Sequence, residues 1–149
     1  SISIGSSKRN KAVEVTLLGE KISIERIGTD GDMEAAALKF KELDGTVDAF
    51  GVGGADLGAI VDGKWYALHS VAPMVRFVKK TPLVDGGGLK NTLENKAPAF
   101  VDKKIGDYVN SRGRKVLVTL GVDRWGLSQA FADAGSDYLE SSRGAAPGA

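Results

Sequence analysis

The residues of this sequence best suited to chemistry lie in glycine-rich segments, and one segment has the spacing of a nucleotide-binding turn. Gly121-Val122-Asp123-Arg124-Trp125-Gly126 follows an apolar run and precedes a helical pattern, which is the context that a dinucleotide-binding turn requires. Asp123 replaces the usual middle glycine, and Arg124 could offset its charge. A carboxylate that binds a ribose hydroxyl is expected about 20 residues on, where Glu140 lies, and Arg143 could instead meet a 2′-phosphate. We therefore predict that NAD or NADP binds at Gly121, Asp123, Arg124, Gly126 and Glu140, with a plain strand-to-helix turn as the alternative.

A second segment combines three glycines with a lysine and a carboxylate. In Asp85-Gly86-Gly87-Gly88-Leu89-Lys90-Asn91, several backbone N–H groups are free to face an anion ahead of a helix. A lysine near a carboxylate can move a proton on a hydroxyl or carbonyl substrate. We predict Lys90 and Asp85 as catalytic residues and Asn91 as a substrate-binding residue, with an ordinary capped loop as the alternative.

Other loops carry polar side chains suited to a small anion. Ser6, Ser7, Lys8 and Arg9 offer hydroxyls and cations that suit a carboxylate or phosphate, although a solvated turn has the same composition. Thr29 and Asp30 are expected beside them as further substrate-binding residues. The aspartates of these loops could ligate a divalent metal, but no EF-hand spacing exists, and we predict no metal site. His69, the only histidine, is interpreted as a capping or packing residue.

The composition excludes several classes of protein. The chain has 149 residues, no cysteine and a net charge of +1, so thiol catalysis, thiolate metal sites and a basic nucleic-acid surface are not expected. No apolar run approaches the roughly 20 residues of a membrane helix, and no signal peptide is evident, so we expect a cytoplasmic protein. Glycine is abundant, with 20 residues, and its clusters follow predicted strands.

Strand patterns alternate with helical patterns along the chain, which predicts an α/β fold with a mixed, mainly parallel sheet, helices on both faces and small β-hairpins. The carboxyl ends of such strands are where ligands bind, so we expect the glycine-rich loops to share one rim. The predicted elements are a hairpin over 13–17 and 22–24 turning at Gly19-Glu20-Lys21, with one wetter face; a helix over 32–43 capped by Asp32; a strand over 47–52; a hairpin around Asp62-Gly63; a helix over 71–78; a strand over 82–84; helices over 89–94 and 100–108 with a break at Pro98; a strand over 114–120; a helix over 127–134 ended by Gly135; and a strand over 137–140.

Five segments together resemble bacterial quinate/shikimate dehydrogenase-like proteins, and the resemblance extends from residue 1 to about residue 138. The segments are residues 3–9, 25–32, 48–54, 84–93 and 122–126. The resemblance implies a substrate-binding α/β domain over 1–103 and an incomplete Rossmann-like unit over 104–140. It also implies that Ser6 and Ser7 hold a substrate carboxylate, and that Lys90 works with an aspartate on the hydroxyl proton. Asp85 is the predicted partner by proximity.

The resemblance further implies a truncated dehydrogenase. Residues 141–149 are expected to be a flexible tail or a remnant of an expression vector, and the exposed edge of a partial Rossmann sheet would favour homo-oligomers. The function expected is an oxidoreductase that binds NAD or NADP and a small anionic or polyol substrate, with no nucleic acid or membrane as partner. The alternatives are a hydrolase of phosphate or carboxylic esters, using Ser6, Lys90, Asp85 or His69, and a small-anion-binding domain without catalysis.

Overall fold

A computed structural model describes residues 1–106, 115–135 and 137–141, the last five by their backbone alone. The chain divides into two compact units. The first unit comprises Ser1–Gly58 and Ala67–Gly86, and the second contains Ala59–Tyr66 and the described residues from Gly87 onward. The division in the structure therefore follows Gly86, whereas the sequence analysis placed it after Lys103. Arg143 and the rest of the predicted tail from residue 142 lie outside the described residues.

A five-stranded sheet forms the centre of the first unit. Its strands are β1 (Ile2–Ser3), β2 (Lys11–Leu17), β3 (Glu20–Gly28), β4 (Phe50–Gly53) and β7 (Leu83–Val84), in the order β2-β3-β1-β4-β7. β1 pairs in parallel with β3 and β4, β4 pairs in parallel with β7, and β2 pairs antiparallel with β3. The predicted α/β fold with a mixed, mainly parallel sheet is confirmed.

Two helices cover the core of this unit. Helix α1 (Met33–Leu43) begins where predicted, because the Asp32 carboxylate accepts a hydrogen bond from the Ala35 N–H at 2.9 Å. Helix α2 (Ala72–Val75) follows a 3₁₀ turn at His69–Val71 and is shorter than the predicted helix. The core contains an edge-to-face pair, Phe40 and Phe50, with ring centroids 5.0 Å apart. The buried residues packed together are Ile2, Ala36, Phe40, Phe50, Val52, Val71 and Met74.

The β2–β3 hairpin extends from the sheet as an exposed arm. Its two-residue turn is Leu18-Gly19, both with positive φ, one residue before the predicted turn, because a tight hairpin needs left-handed backbone at both positions. All seven residues of β2 are exposed, and the polar face is the wetter one, since the side chains of Glu14 and Lys21 are 72% and 81% exposed. The register places the apolar residues of both strands on one face, and these residues are Val13, Val15, Leu17, Ile22 and Ile24.

The remaining hairpin pairs β5 (Gly58–Val61) with β6 (Lys64–Ala67). Its turn is Asp62-Gly63, as predicted, and both residues have positive φ.

The second unit contains a strand–helix–strand crossover. β8 (Lys115–Thr119) pairs in parallel and in continuous register with β9 (Asp137–Ser141), and helix α5 (Trp125–Asp133) connects them. Gly135, with positive φ, ends the helix as predicted. Before the crossover lie α3 (Gly87–Lys90), a 3₁₀ turn at Glu94–Lys96 and α4 (Ala97–Ile105). Pro98 lies in the first turn of α4 and does not break it, because proline is tolerated where the N–H has no helical partner.

Candidate functional site

The carboxyl ends of β1, β3 and β4 form a rim in the first unit, and backbone hydrogen bonds hold its loops together. The Ile4 N–H donates to the Gly53 carbonyl at 3.1 Å, the Thr29 N–H to the Ser3 carbonyl at 2.9 Å, and the Gly31 N–H to the Ile4 carbonyl at 2.7 Å. The structure thus brings together three of the loops that the sequence placed at one rim. They are the loops that follow β1, β3 and β4.

The serine loop after β1 binds a carboxylate of the chain itself. The Ser7 N–H donates to Asp30 Oδ1 at 2.8 Å. Hydrogen bonds from the side chain and backbone of Ser7 lower the pKa of Asp30 below its ordinary value, because they favour the ionised form. Ser6 Oγ accepts from the Lys8 N–H, and Thr29 Oγ1 donates to the Asp32 carbonyl. The predicted residues Ser6, Ser7, Thr29 and Asp30 are therefore neighbours, and part of the loop's donor capacity serves Asp30.

Arg26 joins this rim and was not predicted from the sequence. Its Nη1 donates to the Ser6 carbonyl at 3.0 Å, and its Nη2 donates to Ser3 Oγ at 3.1 Å. Ser3 is only 3% exposed, so one end of the guanidinium is anchored in the protein. The sequence signal was its position at the end of β3, two residues before Gly28 and on the same face of the strand.

Two glycines permit the close approach that the rim requires. A Cβ on Gly5 would lie 2.8 Å from Arg9 Nη2 and 3.0 Å from Arg26 Nη2. A Cβ on Gly28 would lie 2.5 Å from the Ser6 carbonyl oxygen and 2.6 Å from the Gly5 carbonyl oxygen. The Gly28 N–H also donates to Asn10 Oδ1 at 2.6 Å. Gly5 therefore leaves space for two guanidinium groups, and Gly28 lets the serine loop lie directly on β3.

Asp85 holds another loop of the first unit. It follows β7, as predicted, and its Oδ2 accepts a hydrogen bond from the Leu57 N–H at 2.6 Å. This bond ties the loop after β4 to the end of β7. The contact gives Asp85 a structural role, and its predicted catalytic role stays a prediction.

In the second unit, the predicted nucleotide-binding turn carries a network of charges. Lys90 Nζ donates to Asp123 Oδ1 at 2.6 Å, and Arg124 Nε lies 3.4 Å from Asp123 Oδ2. Arg124 also forms an ion pair with Glu94 through Nη1. The Lys90 side chain is only 17% exposed. Two cations thus offset the Asp123 charge, as the sequence suggested for Arg124, and Asp123 is a carboxylate partner of Lys90.

The glycine at the end of this turn packs against the segment that carries Lys90. A Cβ on Gly126 would lie 3.3 Å from the Lys90 carbonyl oxygen and 3.5 Å from Asn91 Cα. Asn91 Nδ2 donates to the Gly87 carbonyl at 2.8 Å, so its amide closes α3. Gly121 is buried in the turn. The β8–β9 register places Glu140 opposite Val118, near the carboxyl end of the pair, as the sequence predicted.

A groove of about 540 Å³ lies at the opposite end of the first unit's strands, where β1 and β4 begin. Ile2 and Phe50, at the starts of β1 and β4, line it together with Ile22 and Ile24 of the arm. Its walls are mainly apolar, so it differs in chemistry from the charged rim.

Neither a cluster of potential metal ligands nor a membrane-spanning helix is found in the part of the chain that the structure describes. Across residues 1–106, 115–135 and 137–141, no cluster of three potential metal-binding side chains occurs. No helix in the same ranges is long and apolar enough to cross a membrane. The predicted cytoplasmic location and oligomerisation stay predictions.

Comparison with known proteins gives one match. A family model described as a domain of unknown function (DUF8753) matches residues 1–85, more than half of the chain. No curated protein and no solved structure matches. The matched region contains all three loops of the first unit's rim.

Proposed function

We propose that this chain, which belongs to the family of the domain of unknown function DUF8753, is a quinate/shikimate dehydrogenase-like oxidoreductase. In this proposal the chain binds NAD or NADP at the turn of the second unit, together with a small hydroxy acid as substrate. The observation that carries the proposal is the β8–α5–β9 crossover, in which a charge-compensated turn joins a strand to a helix between two parallel strands. Parallel strands of this kind bind nucleotides at their carboxyl ends.

The residues of the turn fit a nucleotide. Gly126 allows the close packing for which such turns use a final glycine, since a side chain there would press on the Lys90 carbonyl. Arg124 is a cation that could bind a pyrophosphate, and the contacts of Lys90 and Arg124 with Asp123 reduce the repulsion that its carboxylate would cause. Glu140 would bind the ribose. A nicotinamide nucleotide supplies a hydride donor or acceptor when bound.

Lys90 is the proposed group for proton transfer. In the direction of carbonyl reduction, its ammonium group donates a proton to the substrate oxygen as the alcohol forms. In the reverse direction the neutral amine accepts that proton. Asp123, at 2.6 Å, holds the amine in place and stabilises the charged form. In this proposal Asp123 is the carboxylate partner of Lys90, the role that the sequence analysis assigned to Asp85.

An assay of reduced nicotinamide tests this proposal. The protein is incubated with NAD or NADP and with quinate or shikimate, and cofactor absorbance is followed. We expect turnover by the unmodified chain, a loss of at least 100-fold in kcat for Lys90→Gln, and an unchanged rate for the exposed control Lys104→Gln. No turnover with any pair of cofactor and acid would overturn the proposal, as would equal rates for Lys90→Gln and the unmodified chain. The hydrolase alternative stays a prediction, and among the described residues no hydrogen bond joins Ser6 to His69.

A further inference from the structure

We propose that Arg9 and Arg26, whose guanidinium groups both lie close to Gly5, form a binding site for the oxyanion of a small ligand. The ligand group carries two or more oxygens that share negative charge, as a carboxylate or a phosphate does. The interpretation of this ligand as the substrate rests on the proposed function, whereas the site itself does not depend on it.

The first argument is the proximity of two like charges. A single point, the position of a Cβ on Gly5, lies 2.8 Å from Arg9 Nη2 and 3.0 Å from Arg26 Nη2. One carboxylate or phosphate group is large enough to accept hydrogen bonds from both nitrogens. Each guanidinium presents a planar fork of donors that matches such a group. The bare glycine keeps the space between the two forks open.

The second argument is the lack of a counter-charge from the protein. Among the described residues, neither Arg9 nor Arg26 forms an ion pair, although five other cationic side chains do. Asp30, the acid of the same rim, accepts instead from the Ser7 N–H. Two adjacent cations without a carboxylate create a local positive potential, which an anionic ligand would neutralise.

The third argument is preorganisation. Arg26 is half-buried, and its bonds to the Ser6 carbonyl and the buried Ser3 hydroxyl fix the guanidinium plane before any ligand arrives. Only two of its five N–H donors are needed for these bonds. Arg9 is exposed and lies in the same loop, at the end of the 3₁₀ turn Ser7–Arg9, so its side chain can move toward a ligand. The site therefore has one fixed cation and one adaptable cation, at the strand edge where α/β proteins bind ligands.

The test measures anion binding without any nucleotide. Quinate and inorganic phosphate are titrated separately into the full chain by calorimetry at fixed ionic strength. Arg9→Gln is the main variant, because no described contact of the fold depends on that side chain, and Arg26→Lys keeps the charge but removes the fork. Lys11→Gln, which removes one charge at the residue paired with Arg26 in the β2–β3 register, is the control. Urea unfolding confirms that each variant is folded.

We expect saturable binding of at least one anion, weakened at least tenfold by Arg9→Gln and by Arg26→Lys, and less than twofold by Lys11→Gln. Tighter binding of quinate identifies a carboxylate ligand, and tighter binding of phosphate identifies a phosphate ester; both support the site. Equal weakening by Lys11→Gln would show a diffuse charge effect and overturn the proposal, as would no binding of either anion. Failure of nucleotide binding in the second unit would overturn only the proposed function.

Discussion

The contact between Gly28 and the serine loop gives a quantitative prediction. An alanine Cβ at position 28 would lie 2.5 Å from the Ser6 carbonyl oxygen and 2.7 Å from the Ser6 carbonyl carbon. Both are backbone atoms, which cannot move aside as the end of a flexible side chain can. An ordinary contact requires about 3.5 Å, so the loop would have to move away from β3 by about 1 Å.

That movement breaks the bonds that depend on the loop position. Overpacking in a filled site costs about 1–3 kcal/mol, and a hydrogen bond to a charged group, such as that from Arg26 to the Ser6 carbonyl, contributes about 1.5–3 kcal/mol. Because the loop can relax and recover part of this, we expect Gly28→Ala to lower the free energy of unfolding by about 3 kcal/mol. The melting temperature should fall by on the order of 10 °C.

The assay is urea unfolding followed by circular dichroism, with Gly86→Ala as the matched control. A Cβ on Gly86 meets no atom within 4 Å, and its φ is not positive. The control should therefore stay within about 0.5 kcal/mol of the unmodified chain. Gly28→Ala should also weaken the anion binding proposed for Arg9 and Arg26. Equal stability of the two variants would refute the argument that backbone contact requires glycine at position 28.

Three further predictions concern other parts of the chain. Phe40→Ala should lower the free energy of unfolding by about 3–5 kcal/mol, whereas Ile24→Ala on the exposed arm should cost less than about 1 kcal/mol, as urea titrations would measure. The backbone N–H of Thr81 is the main cause of the lowered pKa of Asp44, so the folded state favours the carboxylate. The stabilisation of the folded state by this carboxylate is complete above the ordinary pKa of 3.8 and is lost as the pH falls through the lower folded value. Asp44→Asn should therefore lower stability at neutral pH and flatten the decline below pH 4, which thermal melts across pH would detect. A double-mutant cycle of Lys90→Met and Asp123→Asn should give a coupling energy of about 1 kcal/mol in unfolding, and zero coupling would contradict the ion pair.

Local patterns predicted most elements of the fold. Asp62-Gly63 identified a hairpin turn, Asp32 identified the start of α1, and Gly135 identified the end of α5, because each residue type satisfies a specific backbone requirement. The remaining features depend on tertiary contacts, which local sequence patterns do not report. The alternation in β2 predicted which residues share a face, but not that the apolar face is also exposed, because periodicity does not report whether another layer covers a face.

Part of the candidate site was also predictable from local sequence patterns. Strand ends indicated that the loops carrying Ser6 and Thr29 would meet, and the spacing of Gly121 and Gly126 indicated a turn before a helix. Partners distant in sequence could not be read from spacing, and the pairing of Lys90 with Asp123 spans 33 residues. Arg26 was missed because its position at the end of β3 does not by itself show that its side chain approaches Gly5.

The most direct test of the central claim is equilibrium binding of NAD and NADP to the full chain, measured by calorimetry. The account predicts saturable binding of one nucleotide with one site per chain. It also predicts at least tenfold weaker binding for Arg124→Gln, which removes a cation of the turn, and unchanged binding for Lys104→Gln. No binding of either nucleotide, or the same affinity for Arg124→Gln and Lys104→Gln, would contradict the assignment of the β8–α5 turn as a nucleotide site.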